Sequence, residues 1–132
     1  METRKEVLIF LKKLWAEEET YCPICKNKLA IFKDLSIKHK CITAQPLLEQ
    51  IDIEKYLDDI ELVVVGGESD YNARPFNYDW ALNVREQCIR KNVDFEFRQC
   101  GTYTIKDGKK YKIQTKDLAK QARLANINYK RY

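Results

Sequence analysis

A chain of 132 residues, 45% apolar and 33% charged, can bury one core, which excludes a disordered polyelectrolyte and argues for a single domain over residues 1–132. No apolar run is long enough to cross a bilayer, and Met1-Glu2-Thr3-Arg4-Lys5-Glu6 carries mixed charge rather than the apolar core of a secretory signal, so a cytoplasmic protein is expected. The formal charge of +4 helps contact with phosphate without requiring it.

Residues 3–15 are expected to be a helix, because Val7, Leu8, Leu11, Leu14 and Trp15 recur at helical spacing with Arg4, Lys5, Lys12 and Lys13 between them. The acidic run Glu17-Glu18-Glu19 and the turn Cys22-Pro23-Ile24-Cys25 follow, so residues 1–28 read as a helix plus a two-cysteine segment. A short helix is expected over 30–35. Cys41-Ile42-Thr43-Ala44-Gln45 reads as a strand that Pro46 ends. Asp52 is placed to cap a short helix through Tyr56 and Leu57.

Glu61-Leu62-Val63-Val64-Val65 then forms an apolar strand fit for burial on both faces. It stops at Gly66-Gly67, followed at once by Glu68 and Ser69. After a loop over 70–76, Asn77 is the expected N-cap of a helix ending near Asn92, with Trp80, Ala81, Val84 and Cys88 on its apolar stripe. Val93 to Arg98 alternates apolar and polar residues, as a strand near a sheet edge does. Strand, connection and strand repeated twice predict a three-stranded parallel α/β sheet built from two crossovers over residues 29–101, with helices packed on it. Residues 102–132 add a hairpin around Asp107-Gly108 and a last helix over about 115–125, carrying Leu118, Ala119, Ala122 and Ala125.

Two constellations carry chemistry. The first is the carboxyl end of the central strand, where parallel sheets bind ligands. Backbone N–H groups beside Gly66 and Gly67 can receive an anion, Glu68 can accept from an amine or a ribose hydroxyl, and Arg74 can clamp a phosphate or carboxylate. The plainer reading is a tight turn in which Glu68 and Arg74 pair with each other. Gln45, Arg98, Gln99 and Cys100 end neighbouring strands and should face the same cleft, while Tyr71, Tyr78 and Trp80 either stack on a ligand or pack a helix onto the sheet. The second constellation is Cys22 and Cys25, two thiols at a spacing that grips one zinc ion. Candidate further ligands are Cys100, or His39 and Cys41; unliganded thiols and a redox dithiol are the competing readings. The lysines at 106, 109, 110, 112, 116, 120 and 130, with Arg131, interleave with tyrosines, which suits a solvated face or, less strongly, nucleic acid.

From about Leu29 to Tyr129 the chain resembles the C-terminal part of a phage-associated family of unknown function, built like a radical-SAM barrel and often encoded beside a three-Cys-motif partner, and the resemblance implies that the preceding barrel strands are lacking. The likeness rests on Leu29-Ala30-Ile31-Phe32, Ile37-Lys38-His39-Lys40, Gln45-Pro46-Leu47-Leu48, Val65-Gly66-Gly67-Glu68-Ser69, Ala73-Arg74-Pro75 and Trp80. It continues through Arg85, Gln87-Cys88, Phe95, Phe97, Gln99, Gly101 and Gln121-Ala122-Arg123. The resemblance implies a partial radical-SAM-like barrel. It also places Cys22 and Cys25 near the strands' carboxyl ends with Cys100, and a histidine at His39 without a metal. Relatives bind an iron–sulfur cluster through three cysteines; this chain has the two-cysteine pair alone, so no cluster is expected.

The expectation is a phage or mobile-element accessory protein that binds a ligand through Gly66, Gly67, Glu68, Ser69, Arg74, Gln45 and Gln99, with a structural zinc at Cys22 and Cys25. One alternative is a small-molecule or nucleotide-modifying enzyme using Glu68 as acid or base. Another is a protein-binding inhibitor of a host defence complex. A second copy or a partner protein would dock on a sheet edge left open at 41–45.

Overall fold

The computed structural model describes the backbone of Glu6–Phe10 and residues 39–131. In chain order the strands are β1 (Glu6–Phe10), β2 (His39–Ala44), β3 (Leu62–Gly66), β4 (Phe76–Asn77), β5 (Asp94–Gln99), β6 (Tyr103–Lys106) and β7 (Lys109–Lys112). The helices are α1 (Tyr78–Lys91) and α2 (Leu118–Ala125). A four-stranded sheet runs β1-β2-β3-β5 with every neighbouring pair parallel. The three expected parallel strands are all present.

The fourth strand replaces the helix expected over 3–15. Val7-Leu8-Ile9-Phe10-Leu11 is an unbroken apolar run. A run of this kind suits a parallel strand and shows no alternation, so a helical stripe can be traced through it by accident. β1 also changes the expected edge. His39–Ala44 is paired on both sides, to β1 and to β3, and is not an open edge. The Cys22-Cys25 turn and the helix expected over 30–35 lie outside the described residues.

Strands that follow one another in the sheet, joined by crossovers of one hand, place their connections on one face. Ile42, Ala44, Val63, Val65, Phe95 and Phe97 share that face and form one buried cluster with Ile51, Ile53, Leu57 and Ile60 from the β2–β3 connection and Ala81, Val84 and Cys88 from α1. The connection is a 3-10 turn, Glu54–Tyr56, rather than the expected helix. Asp52 Oδ1 accepts from the Glu54 amide at a long 3.4 Å, and Ile53, not Asp52, sits at the cap position.

So irregular a segment leaves backbone groups for side chains to satisfy. Gln87 of α1, itself buried, does this: its Oε1 accepts from Ile53 N at 2.8 Å and its Nε2 donates to the Ile51 carbonyl at 2.9 Å. Arg90 and Lys91, in the last turn of α1, reach Glu54 and Asp58 of the same segment. Asn77 caps the helix by accepting from Asp79 N at 2.9 Å, and Asn92 ends it in the left-handed region, as expected.

The outer edge of β5 is covered. Tyr129 bridges Phe95 antiparallel, and Asn128 Oδ1 accepts from Phe97 N at 2.8 Å. The hairpin forms as expected, with Asp107 and Gly108 both at positive φ, the geometry of a tight two-residue turn. Its strand β6 also pairs in parallel with β4, giving a second, three-stranded sheet that the sequence pattern did not announce. The last helix begins with a 3-10 turn over Thr115–Asp117 and buries Leu118 and Ala122, while Ala119 is exposed.

Replacing Gln87 by Leu keeps the bulk and strands one N–H and one carbonyl in the core. A loss of about 2–4 kcal/mol is expected, measured by urea unfolding; a loss under about 0.5 kcal/mol, the range of neutral surface changes, would contradict this role.

Candidate functional site

The strands β2, β3 and β5 run together and stop at one rim. A register shift after Val65 pairs Gly66 with Gln99 and skips Arg98. Gln99 therefore turns back across the rim, its Nε2 donating to the Gly67 carbonyl at 2.9 Å. Arg98 instead lies exposed, 3.3 Å from Glu96 Oε2, and does not join the cleft as expected.

The two glycines do different work. A Cβ on Gly67 would stand 2.3 Å from Gly101 N and 2.4 Å from Gly101 Cα, so the residue is required by a neighbouring backbone rather than by an approaching ligand. Gly66 is less constrained. Its added Cβ would meet the flexible end of Gln45, at 3.0 Å from Cδ. Backbone bonds lock the approach: Gly67 N donates to Gln99 O at 3.1 Å, Thr102 N to Glu68 O at 3.0 Å, and Leu47 N to Gly66 O at 2.8 Å.

Glu68 and Arg74 pair, which realises the plainer of the two expected readings. Arg74 donates from Nε to Glu68 Oε1 at 3.1 Å, from a terminal nitrogen to Oε2 at 2.8 Å, and from its backbone N to Oε1 at 2.8 Å. These bonds raise the Arg74 guanidinium above its ordinary value. Gln45, Gly67, Glu68, Ser69 and Gln99, together with Pro46 and Asp70, line an open cleft of about 480 Å³. Five of the seven expected ligand residues thus meet in one place. Gly66 lies beneath them and Arg74 joins through Glu68. Asp70 was missed, although it follows the Gly-Gly-Glu-Ser run directly.

Among the aromatics, Tyr78 packs on Phe97 of β5 at 6.1 Å and Trp80 meets Phe76 of β4 edge-on at 6.4 Å, so both are packing residues. Tyr71, by contrast, is 82% exposed beside the cleft.

Of the expected metal ligands, Cys22 and Cys25 lie outside the described residues. His39 Nδ1 lies 2.6 Å from Glu61 Oε1, and Cys41 borders a depression with Glu61 and Asp94 near the strands' amino ends. Cys100 sits at the opposite end and opens on a different groove, with Tyr78 and Lys106. No group of three or more His, Cys, Asp and Glu that could hold a metal occurs among the described residues. Burial pushes the Cys88 thiol up to about 12 and the Cys100 thiol up to about 11, with Lys106 drawing the latter back.

Over residues 17–128 the chain matches the model of a family described as "Protein of unknown function (DUF5131)". The chain belongs to that family. No curated protein and no solved structure matches it. The DUF5131 match takes in the whole rim, Gly101 and both cysteines of the Cys22–Cys25 turn. Among the described residues no helix is long and apolar enough to cross a membrane.

Two outcomes check this geometry. Gly67→Ala should destabilise by about 3 kcal/mol or more, the scale of severe overpacking, whereas Gly66→Ala should stay near wild type in the same denaturation assay; equal effects would contradict the separate roles. Cys88 and Cys100 should resist iodoacetamide at about pH 8 until the chain unfolds. Because the unfolded thiols release protons near their ordinary value of 9.0 while the folded ones hold theirs to about 12 and 11, stability is full below that range and should fall as pH rises through it. Rapid labelling of the native protein would refute this.

Proposed function

We propose that this is a binding or accessory protein of a phage or mobile element, built on a radical-SAM-like arrangement of parallel strands, which takes a small polar ligand at the carboxyl-end cleft. The observation that carries the reading is the convergence of Gln45, Glu68, Ser69, Asp70 and Gln99, from the exits of three neighbouring parallel strands, on one open depression. Strands adjacent in the sheet in chain order, with the β2–β3 connection and α1 packed on one face, support a barrel-like lineage over a doubly wound sheet, whose strand order reverses.

Acceptors dominate the cleft. Two carboxylates stand there, and Gln99 gives one of its two amide N–H groups to Gly67, which leaves its oxygen and one donor for a ligand. A ligand rich in amine or hydroxyl donors fits this set better than a phosphate, since Arg74 is already engaged by Glu68. Glu68 accepts three hydrogen bonds from Arg74, an arrangement suited to orienting a donor, so binding is favoured over acid–base catalysis by this residue. The zinc proposal rests on Cys22 and Cys25 alone, and metal analysis of the purified protein tests it.

A thermal-shift screen with nucleosides and amines addresses the cleft. A ligand at about a hundred times its Kd adds about 2.7 kcal/mol, or a rise on the order of 10 °C. Ser69 is exposed, so Ser69→Lys should leave the unliganded melting point in place and abolish the shift by setting bulk and positive charge where ligand donors belong. No shift with any donor-rich compound, or an equal shift in Ser69→Lys, would remove the reading.

A further inference from the structure

The positive charge of this protein is not spread over its surface. Residues 103–125 hold seven lysines and arginines against two aspartates, while the remaining residues hold 17 basic against 18 acidic. The entire excess sits on the hairpin and α2. Elsewhere among the described residues several cations have carboxylate partners: Arg74 with Glu68, Arg90 with Glu54, Lys91 with Asp58, Arg131 with Asp94. Among the described residues no carboxylate pairs with Lys106, Lys109, Lys110, Lys112, Lys116 or Lys120.

The arrangement is unfavourable for the free protein. Lys106 faces Lys109 directly across the hairpin, and like charges at that position repel. Every residue of β7 is exposed, so burial does not explain its composition. Two of the ammonium groups are held in place by rings, Lys106 over Tyr78 at 5.1 Å and Lys110 over Tyr103 at 4.9 Å. Such contacts fix position and leave the charge in place. Between the hairpin and α2 lies a groove of about 450 Å³ whose walls carry Lys106, Lys112, Gln121 and Tyr111. Tyr111 is 47% exposed, and among the described residues its ring, unlike those of Tyr78 and Tyr103, carries no lysine.

We propose that this groove binds single-stranded nucleic acid, the hairpin lysines contacting phosphates and Tyr111 stacking on a base. A positive track beside an open aromatic face is the combination by which sequence-tolerant single-strand binders work. An acidic protein surface would use the lysines but not the bare ring. A bilayer would call for a broad apolar face, and Leu124 alone stands out on α2, at 65% exposed. The surface is separate from the carboxyl-end cleft and does not depend on it.

Fluorescence anisotropy with labelled oligothymidine of about 20 nucleotides, at about 50 mM salt, tests the proposal. The wild type should bind saturably and weaken steeply as salt rises. Tyr111→Ala should lose about 5- to 100-fold in affinity with an unchanged salt slope, whereas Lys109→Ala with Lys110→Ala should flatten that slope by roughly two contacts. Both changes lie on the exposed hairpin, and unchanged circular-dichroism melting confirms that the fold survives. Absence of wild-type binding, full affinity in Tyr111→Ala, or equal competition by polyglutamate or phosphatidylserine vesicles would each overturn it.

Discussion

The approach of Gly67 to Gly101 governs the molecule. Two chain segments, one leaving β3 and one leaving β5, pass so close that neither could carry a side chain there: a Cβ on Gly101 would stand 2.8 Å from Phe76 Cβ, and one on Gly67 would strike Gly101 itself. With both residues reduced to backbone, Gly67 reaches Gln99 and Glu68 reaches Thr102 by hydrogen bonds. Asp70 N then donates to Thr102 Oγ1, at 3.3 Å. The knot fixes Glu68 and Gln99 on one rim. It also sets where the hairpin departs, and Cys100 N, donating to the Leu118 carbonyl at 3.1 Å, ties α2 to the same place. The cleft and the basic groove lie to either side of this one crossing.

The sheet beneath supplies rigidity. The β2–β3 connection and α1 gather on the face of Ile42, Val63 and Phe95, where Gln87 satisfies backbone groups that precede the 3-10 turn. Cys41, Thr43 and Val64 are also buried, though on the other face. A parallel sheet buried on both faces is what a nearly continuous apolar strand such as Leu62–Gly66 implies. Within β2, β3 and β5 exposed polar side chains are thereby confined to the strand ends, and function is to be sought there.

Much of this was legible in the residues. The Leu62–Gly66 run, the Asn77 cap, the alternation from Val93 and the Asp107-Gly108 turn each carry a local physical signal, and each element stands where that signal puts it. What failed was non-local. Val7 to Phe10 satisfies a helical stripe and a buried strand equally, and the strand partner Lys40–Thr43 decides between them. The short β4 is defined by its pairing to β6, which no local pattern encodes. Gly67 read as space for a ligand because its true neighbour, Gly101, lies far along the chain. Arg98 fell out of the cleft through a one-residue register shift, and such shifts have no sequence signature here.

The charge division follows the architecture. The sheet and α1 balance their charges in pairs, whereas the appendage does not, so the protein presents an acceptor-rich cleft and a cationic groove on the two sides of one backbone crossing. That crossing is open to direct observation in solution by nuclear Overhauser spectroscopy. If the account is right, the Gly67 α-proton occupying the would-be Cβ direction gives a strong cross-peak to the Gly101 amide, since that direction ends 2.3 Å from Gly101 N. A folded protein whose assigned spectrum lacks that cross-peak would contradict the account.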